Sequence, residues 1–346
     1  MHLLFCVLAL SFQPPAQSPA ADWQKQETAY LKNIRQVTFD FVRAGEGYFS
    51  PDGKQIIFQA EEKGDNPFYQ IFVMDLESGK YRRVSPGVGR TTCAFFRPDG
   101  KKIIFASSHL DPLAKQRQAE EFKRREEAAR TGQRRRYEWV FDEYMDIFEA
   151  NPDGSDLKRL TDTPGYDAEG AYSPDGKQIV FCSQRDGNLE LWIMHADGSH
   201  PRKLTNAPGC YNGGPFFSPD GKRVIFRADR KNKDELQIHV INVDGTGERQ
   251  LTDISGVAWA PYWHPDGKHI IFTAAEHKPM QRPNYDLYLM NVDTGEMTRI
   301  TFAPGQDVLP VFSPDGKKLM WTSTRDGSLP GTQLFIADFV MPGQKN

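Results

Sequence analysis

The chain has little cysteine, almost no charge imbalance and no long apolar run, and each shortage excludes something. Its 346 residues include four cysteines, Cys6, Cys93, Cys182 and Cys210. No two of them show metal-ligand spacing, and an odd number is left if the N-terminal leader is cleaved, so neither a zinc knot nor a fully paired disulfide framework is written here. They read as small buried hydrophobes; Cys182 directly follows Phe181 inside an apolar strand pattern. A formal net charge of -3 supplies no global field for nucleic acid or an anionic membrane. The one conspicuous apolar run, Leu3 to Phe12, is too short to span a bilayer. A Gln-, Pro-, Ser- and Ala-rich stretch follows it and ends at Ser18-Pro19-Ala20-Ala21. That pattern predicts a secretory signal over 1–20 with cleavage near Ala20. Cys6 sits too early in the run, behind the bulky Phe5, for a lipid attachment site.

Catalytic signatures are also missing. There is no G-x-S-x-G nucleophile elbow and no H-E-x-x-H zinc helix. Gly-Lys pairs such as Gly53-Lys54 open strands and lack phosphate-loop spacing. The Asp-Gly-Ser triplets at Asp153, Asp197 and Asp326 lack the alternating ligands of a calcium loop and read as turns.

What is present is a repeat. Ten residues recur six times: FSPDGKQIIF from Phe49, FRPDGKKIIF from Phe96, YSPDGKQIVF from Tyr172, FSPDGKRVIF from Phe217, WHPDGKHIIF from Trp263 and FSPDGKKLMW from Phe312. Their prolines are Pro51, Pro98, Pro174, Pro219, Pro265 and Pro314; four of the gaps run from 45 to 49 residues and one is 76. One unit with one insertion accounts for this. Within a unit, Ser-Pro-Asp-Gly predicts a tight hairpin, with Pro pre-setting φ and Gly taking the left-handed position. An apolar strand follows it. A third strand comes next, such as Leu189–Met194, then an Asp-Gly-type turn and a short charged strand such as Arg202-Lys203-Leu204-Thr205. Four short antiparallel strands per unit make a propeller blade, so six units predict an all-β, six-bladed propeller.

The sixth copy lacks its fourth strand, and Arg35-Gln36-Val37-Thr38 carries that pattern ahead of the first copy. The N-terminal strand is therefore expected to complete the last blade and leave no raw edge. The long gap holds Ala114 to Arg136, rich in strong helix formers, with nine basic and four acidic residues between Lys115 and Arg136. Phe122 is its only large apolar residue, so a solvated helical excursion interrupting blade 2 is expected, or a basic arm for an anionic partner over 114–136. The expected organisation is a signal over 1–20, an extension over 21–33, a propeller over 34–340 and a tail over 341–346. Within the propeller, 34–39 closes the ring and 109–138 forms the charged insertion.

The hairpin, the D-[IL]-[YFW]-x-M strand and the R-x-L-T strand together resemble the TolB-like propellers, a family of WD-like Pro-Asp repeats. The resemblance covers Ile34 to about Asp338. It implies a periplasmic or secreted, non-catalytic scaffold that engages an envelope protein or peptide, with no cofactor and no nucleic acid. The family's envelope members carry an α/β domain before the propeller; residues 21–33 stand in that place here. Similar propellers precede prolyl oligopeptidase-like domains, and related ones are oligogalacturonate lyases that use channel histidines and a metal.

Propellers bind at the channel and its rim. The runs before each hairpin offer Glu46, Asp167, Glu169, Asn212, Trp259 and Asp307 as candidates for one channel mouth, with Trp259 as a stacking face. Arg185, Arg227, Arg230, His277 and Arg325 follow the second strands and are expected on the rim. No histidine falls in the channel runs and no metal site is expected. Three readings are open: a protein- or peptide-binding scaffold acting as a monomer without a membrane span, a solute- or glycan-binding propeller using the channel mouth, and a metal-dependent polysaccharide lyase or hydrolase.

Overall fold

The computed structural model describes residues 23–64, 66–132, 141–277, 283–325 and 331–343. The expected signal, Cys6, the end of the basic insertion from 133 and Asp326 lie outside the described residues.

Six four-stranded antiparallel sheets stand around an axis, giving a six-bladed β-propeller. The inner strands are Arg43–Phe49, Thr91–Phe96, Asp167–Tyr172, Asn212–Phe217, Gly256–Trp263 and Asp307–Phe312, in blades 1 to 6. Each touches the next, and the first touches the sixth.

The repeat motif builds the hairpin between inner and second strands. In blade 1 the Gly53 amide donates to the Ser50 carbonyl at 2.8 Å, and Gly53 sits at φ 69. The Ser50 hydroxyl donates to Asp52 Oδ1 at 2.6 Å and accepts from the Gln55 amide at 2.9 Å. Asp52 also accepts from the Lys54 amide, so two side chains satisfy the turn's donors. Ser173, Ser218 and Ser313 repeat the bond to Asp175, Asp220 and Asp315. Where serine is replaced, Arg97 grips Asp99 with two bonds and His264 faces Asp266.

The aromatic that ends the motif is the core of each blade. Phe58, Phe105, Phe181, Phe226, Phe272 and Trp321 are all at most 1% exposed. Each lies in register with an aromatic or histidine of the third strand, as Phe58 with Phe72 and Trp321 with Phe335. The Phe58–Phe72 and Trp321–Phe335 rings stack at 5.8 and 6.1 Å. Burial of one such ring contributes roughly 1.5–3 kcal/mol, and the pairing about 0.5–1.5 kcal/mol more.

In blades 1 to 5 the outer strand is two or three residues long and is held by two recurring bonds. Its Ser or Thr accepts a backbone amide of the third strand: Ile71 to Ser85, Ile147 to Thr161, Leu191 to Thr205, Ile238 to Thr252 and Leu287 to Thr301. Its leading basic residue reaches the following blade, as Arg82 does to the Pro152 carbonyl (3.0 Å) and Arg202 to that of Val243 (2.6 Å). In the sixth sheet the outer position belongs to Leu31–Gln36, paired antiparallel to Gln333–Phe339. Thr38 then accepts the Leu334 amide at 2.9 Å, the sixth instance of the same bond. The strand begins before residue 34, and a short helix, Trp23–Glu27, precedes it. Glu27 is buried, accepts the amides of Phe302 and Ala303 and pairs with Arg325 at 2.9 Å. The extension is thus pinned across blades 5 and 6.

The insertion is a helix, Ala114–Thr131, ended by Gly132 in the left-handed conformation. It lies between the second and third strands of blade 2. It is a charged helix with most of its residues exposed, as expected of a solvated excursion, and polar contacts tie it to the ring as well. Arg125 pairs with Glu61 of blade 1 and donates to the Pro67 carbonyl at 2.6 Å. Gln118, buried, accepts the Gly89 amide, and Arg117 pairs with Asp111 at 2.6 Å. An apolar stripe was the wrong thing to require when a partly buried arginine does the docking.

Candidate functional site

Each inner strand carries a bulge at one equivalent position, five residues before the motif proline. Glu46, Cys93, Glu169, Gly214, Ala260 and Leu309 all have positive φ, from 46 to 57. For the five that are not glycine this conformation costs roughly 1–2 kcal/mol per residue. Strain placed at the same point of every blade needs compensation, and the freed amides supply it. The Glu46 amide donates to Thr322 of the preceding blade (3.0 Å), that of Leu309 to Thr273 (3.1 Å), and that of Gly214 to Glu169. The bulges therefore knit the blades and aim a ring of six side-chain positions at the axis.

Two residues farther along, Tyr48, Phe95, Phe216 and Tyr262 meet ring against ring across the axis, at 5.1–6.1 Å between centroids. Tyr48 of blade 1 touches Phe216 of the opposite blade, so the centre of the channel is filled at this level. Toward the start of the inner strands the channel widens into a cavity of about 500 Å³. Glu46, Glu169 and Arg227 give it charge; Trp259, Tyr285 and Tyr69 give it aromatic wall.

The charged group at its base is built from blades 1, 3 and 4. Arg227 donates to Glu169 Oε1 at 2.8 Å and to the Tyr211 hydroxyl at 2.6 Å. Glu169 Oε2 accepts from the Cys182 thiol at 3.2 Å. Glycine makes this possible: a methyl at Gly214 would collide with the Arg227 guanidinium, and one at Gly213 with the Tyr211 hydroxyl. Glu46 faces the same space and accepts from the Tyr48 hydroxyl at 3.3 Å. Removal from bulk water, then the Glu169 charge, pushes its carboxyl from 4.5 up to about 7; Cys93, Arg227 and Tyr48 pull the other way. Burial and the neighbouring Glu46 carboxylate hold the Cys93 thiol well above its ordinary range.

The structure divides the expected site residues. Glu46, Glu169 and Trp259 line the cavity. Asp167, Asn212 and Asp307 do not, a correction to the expected channel set: they lie at the sheet edge and tie inner strands to neighbouring loops. Asp167 pairs with Arg185 (3.0 Å), Asp307 with Arg325 (2.7 Å), and Asn212 accepts from Arg230 (2.6 Å). These arginines also lie over the blade aromatics, Arg185 at 5.0 Å from Phe181 and Arg325 at 4.8 Å from Trp321. They are clamps rather than open rim cations. Arg227 is no rim residue either, since it points into the cavity; His277 is exposed, with its amide bonded to the Ser255 carbonyl.

The parity of the repeat could have revealed Arg227. It follows the motif aromatic, where the other copies carry Gln59, Ala106, Cys182, Thr273 and Thr322, and five of those six positions bond to the bulge ring or its neighbours. Tyr69 and Tyr285 come from the loops before the third strands, where the repeat gives no register, and were missed for that reason.

Residues 138–253 and 254–341 match the family model of the TolB beta propeller domain, more than half of the chain. The chain belongs to the TolB β-propeller family. An uncharacterized protein of Agrobacterium fabrum is 34% identical over 68 residues, 20% of this chain and 23% of that protein. The Tol-Pal system protein TolB of Anaeromyxobacter dehalogenans is 51% identical over 39 residues, 11% of this chain and 9% of that one. The chain thus matches less than a quarter of the length of these curated relatives. The solved putative TolB of Agrobacterium tumefaciens is similar with a TM-score of 0.59 at 20% identity, over 86% of this chain and 91% of that one. The oligogalacturonate lyase of Vibrio parahaemolyticus gives 0.55 at 14% identity, over 90% and 94%. At such identities the likeness shows the propeller fold. No helix among the described residues is long and apolar enough to cross a membrane.

Proposed function

We propose that this propeller is an exported, non-catalytic binding scaffold of the cell envelope that receives a segment of a protein or peptide partner in its channel cavity. The cavity carries the reading. It sits on the axis, its floor is closed by an aromatic ring, and its about 500 Å³ lies within the roughly 300–1,000 Å³ of ligand sites. The Tol-Pal name of the matched relatives supports an envelope role. Gln306 is exposed at the cavity and takes part in turn bonding through its backbone, so Gln306→Trp blocks the opening without touching the core. Immobilised parent protein is expected to retain a partner from envelope extract at moderate salt, and the Gln306→Trp variant to release it. Equal retention by both proteins, or retention by neither, refutes the reading.

The glycan-binding alternative has one observation in its favour: the Trp259 ring lines the cavity, edge-on to Tyr285 at 6.4 Å. A rise in melting temperature with oligosaccharides that Trp259→Leu abolishes would favour it. The lyase or hydrolase reading rests on the propeller fold alone, which this chain shares with an oligogalacturonate lyase at 14% identity.

A further inference from the structure

The cavity holds more carboxyl groups than its guanidinium groups pair with. Its two carboxyl groups are Glu46 and Glu169, and Arg227 is spent on Glu169 and Tyr211. The other guanidinium at the cavity, that of Arg43, pairs with Glu61 at 2.9 Å and lies 4.3 Å from the Tyr69 ring centroid. Among the described residues no cation stands within ion-pair distance of Glu46, whose neighbours are Glu169, Tyr48, Cys93 and, at longer range, Arg227. The Glu46 carboxyl is nonetheless open to the cavity, beneath walls of Trp259 and Tyr285 and beside the Tyr48 and Tyr262 rings. A carboxylate lacking a counter-ion at the base of an aromatic-walled pocket is complementary to an organic cation: the carboxylate takes the charge and the ring faces attract it.

We infer that the cavity recognises a basic side chain, a lysine ammonium or an arginine guanidinium, presented by the partner segment, with Glu46 as its counter-ion. This rests on the partner-in-channel reading and names the chemistry of the inserted residue. A primary ammonium or guanidinium on a thin apolar stem fits because the stem lies along Trp259 and Tyr285 while the head reaches the bulge ring. Binding also has a proton signature. Burial and then the Glu169 charge favour the protonated form of Glu46, so a bound cation drives it to the charged form and releases a proton.

The test uses the full chain and three neutral-backbone probes, the N-acetyl methylamides of lysine, arginine and norleucine, titrated calorimetrically at pH 6 and 8. The cationic probes are expected to bind at least tenfold more tightly than norleucine, more tightly at pH 8 than at pH 6, and with proton release that differs between buffers. Glu46→Gln is expected to remove both the tenfold preference and the proton release while its melting curve stays cooperative. Glu46→Asp keeps the charge and is expected to retain the preference, which covers a folding failure of the amide variant. Equal binding of lysine and norleucine probes, or a preference that survives Glu46→Gln, overturns the inference. If the extract partner is captured and blocked by Gln306→Trp yet binds Glu46→Gln as tightly as the parent, only the cation inference fails. If the lysine probe binds but no partner is retained, only the scaffold reading fails.

Discussion

Arg227→Met tests the construction of the site most directly. The side chains of Arg227 and Glu169 are 16% and 6% exposed, and their bond is 2.8 Å. Methionine fills a similar length but strands the Glu169 carboxylate without its cation and takes a donor from Tyr211. Breaking a buried ion pair from one side costs about 3–5 kcal/mol. For a chain of this size a loss of 1 kcal/mol lowers the midpoint by about 2 °C, so the expected fall is about 6–10 °C. The double variant Glu169→Gln/Arg227→Met removes both charges and leaves an amide to accept from Gly214, so most of the loss should return. Scanning calorimetry on parent, single and double variants at one neutral pH reads both quantities. A single variant melting within about 1 °C of the parent would refute the reasoning, and so would a double variant no more stable than the single.

Two further outcomes are expected. Glu46 keeps its proton in the folded chain up to about pH 7 but loses it near 4.5 when unfolded, so its contribution to stability falls as pH rises between those values. The upper bound is roughly 3 kcal/mol, and Glu46→Gln should match the parent near pH 4 but exceed it at pH 8; denaturant titrations at the two pH values check this. Thr38→Val deletes the bond to Gln333 (2.7 Å) and orphans the buried Leu334 amide. The cost should be about 1–3 kcal/mol. One cooperative transition shifted to lower denaturant is expected, because the closing strand secures the whole ring; early release of one blade would contradict that.

The fold was legible because the hairpin motif repeats its own physics. Ser-Pro-Asp-Gly determines a turn through bonds that need only six consecutive residues, and the aromatic after it falls on the buried face by strand parity. The closing strand was legible for a similar reason: Thr38 occupies the place of Thr161 and Thr205 and makes their bond. The site was read less well. Sequence proximity to the hairpin put Asp167, Asn212 and Asp307 in the channel, but the bulge after them inverts the alternation, so the residue two positions later is the one that faces the axis. A period-two reading cannot see an inserted residue. The docking of the helix Ala114–Thr131 was hidden because one arginine reaching Glu61 leaves no periodic trace.

The repeat also indicates where function must reside. The motif aromatic is Phe or Trp in every copy, and the outer-strand Ser or Thr makes the same bond to the third strand, so these positions serve the ring. At the bulge the six residues are Glu, Cys, Glu, Gly, Ala and Leu, although the backbone is the same in all. Stability does not require that diversity. A ring of six glycines would relieve the strain at every bulge, whereas five of the positions retain a side chain in a conformation that disfavours one. The one glycine is where the Arg227 guanidinium occupies the space a side chain would have filled. Charged, thiol and apolar groups thus stand at unlike points around one axis: Leu309 and Ala260 follow one another in blades 6 and 5 beside Glu46 of blade 1, and a segment bound as proposed would meet apolar surface on that flank and the Glu169–Arg227 pair on the other.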